Sequence, residues 1–363
     1  MLFNNKKMYM SQAGFSLVEI MVGLVIGLLA TLSIMQVFSA FEGQKRTTMG
    51  SADAQTNGSI ALFNIQREVQ MAGFGLPVFD TLNSPLKCNP APTVDHDGNG
   101  TTPDIGMFPL TITDGGNAAG ASDSIAIRYS LDGATAKGGI TVKINNALNS
   151  TTSGLGVDNN LGCNNGDVVI VSAGSVCAMT RVNDANLAAD TTHITLVSAA
   201  GASNGASLAC MGRWSQFTYS IANSQLQRAD ASSAAATPIV SDIVNIQAQY
   251  GVSVAANSNL VTNWVDASGG TWGAPTVADR NRIKAIRIAV VSRNGLLERT
   301  DVTNTCTTAK GIVNNGPCAW DDTGLDAAPK IDLSNDADWQ RYRYRVYETI
   351  IPLRNMIWSK NTL

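Results

Sequence analysis

The chain has 363 residues, far more than one small domain needs to bury a core, and only 15% of them are charged, against about 25% in typical soluble domains. The formal net charge of −3 gives no basic field for nucleic acid, so no nucleic-acid partner is expected. Ser, Thr, Asn and Gly replace the charged residues, which favours an all-β or loop-rich extracytoplasmic protein over a cytosolic enzyme.

The N-terminus is polar over residues 1–14 and then apolar over 15–41, a run long enough for a transmembrane helix. Glu19 is its one ionisable residue. A secretory signal has a shorter apolar core followed by a small-residue cleavage site, and here Gly14 precedes the apolar run instead. A plain signal anchor explains the length but not Glu19, because a charge at the bilayer centre costs roughly 2.5–3.5 kcal/mol. Glu19 is therefore a candidate functional residue.

The helical pattern continues through residues 42–72, with no proline before Pro77. Gly43, Gly50 and Gly58 in this stretch weaken it by about 1 kcal/mol each. The sequence Gly73-Phe74-Gly75-Leu76-Pro77 ends it. We predict one long helix over 15–72, of which residues 15–41 lie in the membrane and the remainder docks on a globular body.

Beyond residue 80 the sequence predicts short strands separated by clusters of Gly, Asn, Ser and Asp. Residues 80–120 and 145–165 are expected to be long surface loops, and the Ala/Ser-rich stretches 198–210 and 229–237 are expected to be exposed. The predicted strands are Ser124–Tyr129, Ile140–Ile144, Val168–Ser172, Ile194–Val197, Gln216–Ile221, Gln225–Arg228 (a hairpin with the preceding one through Asn223-Ser224), Ile243–Tyr250, Ile283–Val291 and Tyr344–Pro352.

Six cysteines lie beyond residue 80, and their even number and wide spacing indicate disulfides formed in an oxidising compartment. Reduced, unrelated thiols are the alternative. Six cysteines allow 15 pairings. Cys306–Cys318 is the preferred pair because it closes a short loop, and Cys163–Cys177 is the second choice. The complete set of candidates is Cys88, Cys163, Cys177, Cys210, Cys306 and Cys318.

Motifs for catalysis are weak. Gly201-Ala202-Ser203-Asn204-Gly205 matches the G-x-S-x-G nucleophile pattern, but no histidine follows His193 in the chain, as the pattern requires. His193 and His96 are otherwise isolated, and no phosphate-binding or dinucleotide-binding motif is present. We therefore predict that the protein is not an enzyme and needs no cofactor.

A calcium site is the one metal possibility. Asp95, Asp97 and Asn99, followed by Gly100, match the first half of a calcium-binding loop, in which oxygens at alternate positions converge on the cation. The twelfth position is Gly106 where such a loop has a bidentate glutamate. A solvated turn rich in Asp, Asn and Gly is the alternative interpretation.

The segment Gly14-Phe15-Ser16-Leu17-Val18-Glu19 resembles the type IV prepilin processing motif, in which cleavage follows a glycine and a glutamate stands fifth in the mature chain. The resemblance implies cleavage between Gly14 and Phe15 and N-methylation of Phe15 by a prepilin peptidase. It also implies that Glu19 neutralises a Phe15 amine, on the same or a neighbouring subunit. A Gly23/Gly27 pair has the spacing of a helix-packing motif.

Four further blocks resemble PilW-family minor pilins: Ile65-Gln66-Arg67-Glu68 with Gly73-Phe74-Gly75, Ile243-Val244 with Gln249-Tyr250-Gly251-Val252, Ile286 to Arg293, and Arg345-Val346-Tyr347 with Pro352-Leu353-Arg354-Asn355. The implied fold is α+β and pilin-like: a long N-terminal helix packed on an antiparallel β-rich head. The implied division is a cleaved leader 1–14, a pilin helix 15–72 and an extracytoplasmic head 73–363.

The resemblance implies a minor subunit in the tip or priming complex of a type IV pilus, supporting pilus assembly, adhesion and twitching motility. Expected partners are the prepilin peptidase, other minor pilins, the major pilin, a tip-associated adhesin and the inner membrane. The head would lie in the periplasm before assembly and near the pilus tip afterwards. Two alternatives remain: a minor pseudopilin of a type II secretion system, and a ligand-binding adhesin subunit.

Overall fold

The computed structural model describes residues 14–77, 85–95, 100, 104–131, 141–147, 154–198, 201–231, 235–320 and 328–357. The chain divides into two compact units, Met1–Gly50 and Ser51–Leu363. Helix α1 (Leu17–Met71) is within two residues of the predicted limits 15–72 at each end. The other α-helices have one turn each: α2 (Gly269–Trp272), α3 (Val277–Arg280) and α4 (Arg354–Ile357).

The second unit is built from antiparallel strands, which confirms the predicted α+β fold class. In chain order the strands of the described residues are β1 (Thr93–Val94), β2 (Ile105–Gly106), β3 (Leu110–Thr113), β4 (Ser124–Ser130), β5 (Thr141–Asn146), β6 (Leu155–Val157), β7 (Val168–Ala173), β8 (Val176–Arg181), β9 (His193–Ile194), β10 (Ser207–Gly212), β11 (Trp214–Ala222), β12 (Gln225–Asp230), β13 (Ala236–Ser241), β14 (Ile243–Val252), β15 (Asn263–Asp266), β16 (Ile283–Arg293), β17 (Cys306–Thr307), β18 (Val313–Asn314) and β19 (Tyr344–Pro352).

These strands form three main sheets. One has the order β8-β7-β10-β5-β6-β9, the second β13-β12-β11-β4-β3, and the third β15-β14-β16-β19. The pairs β1-β2 and β17-β18 stand apart. The predicted hairpin at Asn223-Ser224 joins β11 to β12, and both turn residues have positive φ angles of 52° and 56°, as a tight two-residue hairpin requires.

The part of α1 in the second unit packs against the five-stranded and four-stranded sheets. Its buried side chains, Ala61, Ile65, Val69 and Ala72, recur every three or four residues and so lie on one helix face. They join a cluster that includes Ile127 and neighbouring apolar side chains of both sheets. Burying this face is what holds the helix to the sheets, because burial of apolar surface is the main favourable term in folding.

The six-stranded sheet has apolar clusters on both of its faces. Leu208 and Cys210 of β10 belong to one cluster, and Ala209 and Met211 belong to the other. All six residues of β10 are consequently buried. The expectation that residues 198–210 are exposed is therefore wrong for Ser207 to Cys210: small residues without β-branching gave no strand signal, yet they fill a central strand.

The two predicted surface loops also contain short strands. Residues 80–120 include β1, β2 and β3, and residues 145–165 include β6. Strands β8, β13 and β15 had not been predicted either. The predicted strand Tyr344–Pro352 coincides with β19, and β14 and β16 extend slightly beyond their predicted ends. Long Ile/Val-rich strands were thus found, whereas several strands of two to six residues, such as β8 and β13, were missed.

Asp123 connects the five-stranded sheet to the four-stranded sheet. Its backbone N–H donates to the Ile246 carbonyl at 2.9 Å, and its carboxylate accepts from the N–H groups of Ala248 (2.8 Å) and Gly115 (2.9 Å). Burial raises the pKa of the Asp123 carboxyl to about 7, although the two N–H donors favour the charged form. On this edge of β14, the carboxylate accepts the hydrogen bond from Ala248 N–H that the carbonyl of a neighbouring strand would otherwise accept.

Candidate processing and assembly site

The predicted cleavage point lies outside regular structure and is accessible. Gly14, Phe15 and Ser16 precede α1, and the Phe15 side chain is 80% exposed. Apart from its chain neighbours, no described residue has an atom within 4 Å of the position that a Cβ on Gly14 would occupy. Exposed, non-helical backbone is the kind of segment that proteases cut. Cleavage between Gly14 and Phe15 and methylation of Phe15 stay predictions.

Glu19 lies in the first turn of α1. The N–H groups of Glu19 and Ile20 donate to the Ser16 carbonyl at 3.0 and 3.2 Å, so Ser16 stands at the helix N-terminus. Ser16 and Glu19 have the S-x-x-E spacing of a capping box, and an acidic residue there also interacts favourably with the helix dipole. Glu19 is exposed. It therefore has the position of a helix-capping residue, and its pairing with a Phe15 amine stays a prediction.

The first unit exposes a continuous apolar helix surface. Every large apolar side chain from Phe15 to Phe41 is more than half exposed. This stretch of α1 is long and apolar enough to cross a membrane. Apart from neighbouring residues of the helix itself, no described atom lies within 4 Å of the position that a Cβ on Gly23 or Gly27 would occupy, and their packing role stays a prediction.

Small residues let α1 approach the four-stranded sheet closely. A Cβ on Gly58 would overlap the Tyr347 ring of β19. One turn earlier, the Ser292 hydroxyl of β16 donates to the Ala54 carbonyl at 2.8 Å. Gly58 was interpreted from sequence only as a residue that weakens the helix, but it provides the space that β19 needs.

Glu68 forms a polar contact between α1 and the five-stranded sheet. It is only 5% exposed, and its Oε1 atom accepts from Arg228 Nε at 2.9 Å. The Arg228 guanidinium also lies 3.7 Å from the centroid of the Phe217 ring. Burial raises the pKa of the Tyr219 and Tyr129 phenols around this pair. The sequence analysis placed Glu68 in a segment that resembles PilW-family proteins but did not predict this contact. The position of Glu68 beside Ile65 and Val69 could have suggested it.

The structure contains three disulfides. It pairs Cys306 with Cys318, the pairing preferred from sequence. The second choice, Cys163 with Cys177, is wrong: Cys163 pairs with Cys210, and Cys177 pairs with Cys88. Closeness in sequence gave the wrong pairing. Cys210 of β10 and Cys163 belong to the apolar cluster on one face of the six-stranded sheet, whereas Cys88 and Cys177 belong to the cluster on the other face.

The predicted calcium loop is only partly described. The Asp95 carboxylate accepts from the Gly100 N–H at 2.9 Å, and the Asp104 carboxylate accepts from the Thr93 hydroxyl at 2.9 Å. Asp97 and Asn99 lie outside the described residues. Calcium binding at Asp95, Asp97 and Asn99 therefore stays a prediction.

The G-x-S-x-G segment does not form a nucleophile elbow. Residues 201–205 make a turn that leads into β10, whereas the elbow places its serine between a strand and a helix. His193 lies elsewhere on the surface, with its Nδ1 atom 2.8 Å from Asp190 Oδ2. The other histidine, His96, lies outside the described residues.

Comparisons with known proteins match the chain at both ends. The family model described as type IV pilus-assembly protein W, PilW, matches residues 211–355. The model described as the prokaryotic N-terminal methylation motif matches residues 9–35. Both families consist of structural pilin and assembly proteins rather than enzymes. No curated protein and no solved structure matched the chain. Its two family matches are those of a PilW-family, prepilin-like protein.

Proposed function

We propose that the protein is a minor pilin in the tip or priming complex of a type IV pilus, where it promotes fiber assembly. The observation that carries the proposal is the placement of the two family matches. The methylation-motif match covers the start of an exposed apolar helix, and the PilW match covers the strands that receive the second part of the same helix. One chain thus joins a fiber-forming segment to a PilW-type head.

The size of the head supports a position at the tip. The second unit spans Ser51–Leu363 and carries an additional sheet, β8-β7-β10-β5-β6-β9, of which all but the last two residues of β10 precede the PilW match. Subunits of a repeating shaft must pack closely on all sides, whereas a cap needs neighbours on one side only. A head of this size therefore suits a cap better than the shaft. As part of a cap, the subunit would support adhesion and twitching motility indirectly.

The three disulfides support a head outside the cytoplasm, because disulfides persist in oxidising compartments such as the bacterial periplasm. The apolar helix would anchor the precursor in the inner membrane, and incorporation would later move it into the fiber. The proposed partners follow from this route: the prepilin peptidase, other minor pilins, the major pilin and a tip-associated adhesin.

Two other functions share the same N-terminus. A minor pseudopilin of a type II secretion system would also need the methylation motif and a β-rich head. A ligand-binding adhesin subunit would use the head surface to contact a host or a polymer. Neither alternative requires the chain to promote pilus assembly, and this difference decides the experiment.

The test is a count of surface pili in cells that lack the gene, with and without the retraction motor. We expect few pili in the single deletion and restored pili when retraction is also removed, because a priming subunit is needed to initiate fibers faster than they retract. The same low count in both strains would indicate a component essential to the machinery. Normal piliation with lost secretion or lost adhesion would contradict the proposal and favour the pseudopilin or the adhesin.

Variants at Glu19 test its assembly role separately from its helix-capping role. Glu19→Gln keeps a side chain that can complete the capping box but removes the charge, while Glu19→Ala removes both. If pairing with a Phe15 amine drives incorporation, both variants are cleaved and both are depleted from fibers, because an unpaired ammonium in lipid is costly. Normal incorporation of Glu19→Gln would show that helix capping alone accounts for Glu19.

A further inference from the structure

Strand β19 forms one edge of the four-stranded sheet. Its register with β16 runs without a shift from Tyr344 opposite Arg293 to Pro352 opposite Ala285. Beyond the two ends of this ladder, Asn294 N–H donates to the Arg343 carbonyl (2.9 Å) and Leu353 N–H donates to the Lys284 carbonyl (2.8 Å).

In an antiparallel pair, alternate residues point their backbone groups at the partner. The two flanking bonds use odd-numbered residues, so the odd-numbered residues of β19 face β16 and the even-numbered ones face away. Pro352, which has no N–H, occupies an outward position, in agreement with this assignment.

In the part of the chain that the structure describes, the outward-facing backbone groups of β19 are unpaired. Val346, Glu348 and Ile350 have no backbone hydrogen-bond partner on this side among the described residues. Each offers one N–H and one carbonyl, in the spacing that an added strand would use. Such a row of unpaired groups is a template for another chain.

The other sheet edges are short or irregular. Strands β3 and β15 have four residues each, and β9 has two. Strand β13 contains Pro238, and its pairing with β12 shifts register between Leu226 and Gln227. The six-residue β8 is partly covered, because Val197 and Ser198 donate hydrogen bonds to it. Prolines, bulges and short strands are how proteins block edge pairing, and β19 is nine residues long and regular.

The side chains along β19 indicate what kind of strand would bind. Arg345 is exposed, and among the described residues its guanidinium contacts the Ser51 hydroxyl (3.0 Å) and no carboxylate. Near it a cleft of about 300 Å³ opens, lined by Ser51, Ala54, Val302, Thr303, Arg343, Tyr344 and Arg345. At the other end Ile350 is 60% exposed. A complementary strand would bring an acidic side chain to Arg345 and an apolar one to Ile350.

A second copy of β19 would not supply these groups. When two such edges pair antiparallel through their outward groups, even-numbered residues stand opposite even-numbered ones and odd opposite odd. In that arrangement Glu348 does not face Arg345, and no odd-numbered residue of β19 is acidic. A parallel arrangement places even-numbered residues opposite odd-numbered ones, but there the Glu348 carboxylate is already bonded to the Trp320 N–H at 2.7 Å. The occupant is therefore a different chain.

We propose that the free edge of β19 binds an extended, acidic and partly apolar segment of another fiber subunit, which continues the four-stranded sheet by one strand. This proposal rests on the proposed fiber function and names the contact through which the head would join its neighbour. The added strand would receive its affinity from the backbone groups of Val346, Glu348 and Ile350 and its selectivity from Arg345.

Hydrogen exchange at single-residue resolution tests the edge directly. The full-length protein is compared in detergent and in sheared fibers. We expect the amides of Val346, Glu348 and Ile350 to exchange at least about tenfold more slowly in the assembly, because a new strand would protect them. The amides of Tyr347, Thr349 and Ile351 face β16 and should be protected in both samples. Unchanged exchange at the three outward amides in the assembly would overturn the proposal.

Two pairs of variants give a functional readout. Val346→Pro removes one outward N–H without removing a bond to β16, and Val346→Thr keeps the N–H with a side chain of the same shape. We expect Val346→Pro, but not Val346→Thr, to reduce the amount of this subunit in fibers at least about tenfold. Arg345→Glu should also reduce it, whereas Arg299→Glu, at an exposed residue outside the cleft, should not. Equal incorporation of all four variants would contradict strand addition.

The fiber function and the edge contact can fail separately. If the chain is absent from sheared fibers, the exchange experiment is repeated on the complex extracted from the cell envelope. Protected outward amides there would keep the edge contact and refute the pilus assignment. Unprotected outward amides in both preparations would refute the edge contact, whatever the fiber contains.

Discussion

The strands of the second unit before and after residue 211 are stabilised in different ways. The later part matches the PilW family model and packs its sheet against α1, with core residues such as Ile246 and Ile288 completely buried. The earlier part contains the six-stranded sheet and two of the three disulfides, Cys88–Cys177 and Cys163–Cys210.

The difference shows that packing against one helix stabilises the later strands, whereas disulfide bonds stabilise the earlier ones. The later part gains a large apolar interface from a single helix. The apolar clusters on the two faces of β10 in the earlier part contain no helix residue, and disulfides that span 89 and 47 residues restrict the unfolded state there instead. Asp123 and Tyr250 lie where the two parts meet. Four predictions test this division, from the largest expected effect to the smallest.

Removing the Cys88–Cys177 disulfide should destabilise the protein most. The serine pair Cys88→Ser/Cys177→Ser should lower the free energy of unfolding by about 4–5 kcal/mol, because the link closes a long loop. The control is Cys306→Ser/Cys318→Ser, whose 12-residue separation predicts about 3 kcal/mol. Urea unfolding of the full chain in detergent measures both. A larger loss from the control pair would contradict the division.

Asp123 should make stability depend on pH. Burial raises the pKa of its carboxyl to about 7 in the folded protein, while the unfolded value is near 3.8. Its stabilising contribution is therefore fully present below about pH 4 and is lost as the pH rises to 7, a change on the order of 4 kcal/mol. Asp114 and Asp266 are the carboxylates that raise the pKa further.

Asp123→Asn checks this assignment, because the amide has nearly the same shape and does not titrate. Its stability, followed by thermal unfolding between pH 4 and 7, should lose most of the slope seen in the natural protein. An identical slope in the variant would assign the pH dependence to other groups.

Glu68 should stabilise the strands after residue 211 through its pairing with Arg228. Glu68→Ala leaves the Arg228 guanidinium without its partner next to Phe217, and we expect a loss of about 3 kcal/mol. Arg67→Ala, on the exposed side of the same helix turn, should change stability by less than about 0.5 kcal/mol. If urea unfolding finds equal effects at the two positions, Glu68 does not contribute to holding α1 against the five-stranded sheet.

Tyr250 should contribute the smallest effect, at the boundary between the two parts. Its buried hydroxyl accepts from the Ile112 N–H at 2.7 Å. Tyr250→Phe leaves this donor unsatisfied and should cost about 1–2 kcal/mol. Tyr347→Phe is the control, since the Tyr347 hydroxyl has no hydrogen-bond partner among the described residues. Thermal unfolding in which both variants match the natural protein would show that the hydrogen bond adds nothing.

The sequence predicted the parts of the fold that have strong patterns. Strands β14, β16 and β19 were found because they are long and rich in Ile, Val and aromatic residues, and α1 was found because no proline interrupts it. Strand β10 was missed because Ser, Ala, Cys and Gly carry no strand preference, and its burial depends on two neighbouring strands.

Of the candidate site, the N-terminal motif was apparent from the sequence, since Gly14, Phe15 and Glu19 form one local pattern within the residues that the methylation-motif model matches. It could not identify Glu68 with Arg228, which are 160 residues apart, or the disulfide partners of Cys88 and Cys163. The free edge of β19 was also out of reach, because strand order within a sheet is a property of the whole fold. Contacts between distant residues need the three-dimensional arrangement, whereas processing motifs do not.

The most direct test of the central claim is mass spectrometry of this chain in sheared surface fibers. The account predicts a mature chain that begins at Phe15 with one added methyl group on its amine and that is present in far fewer copies than the major subunit. A chain that retains residues 1–14, or one found in the membrane but never in fibers, would contradict the claim that this protein is processed and built into a pilus.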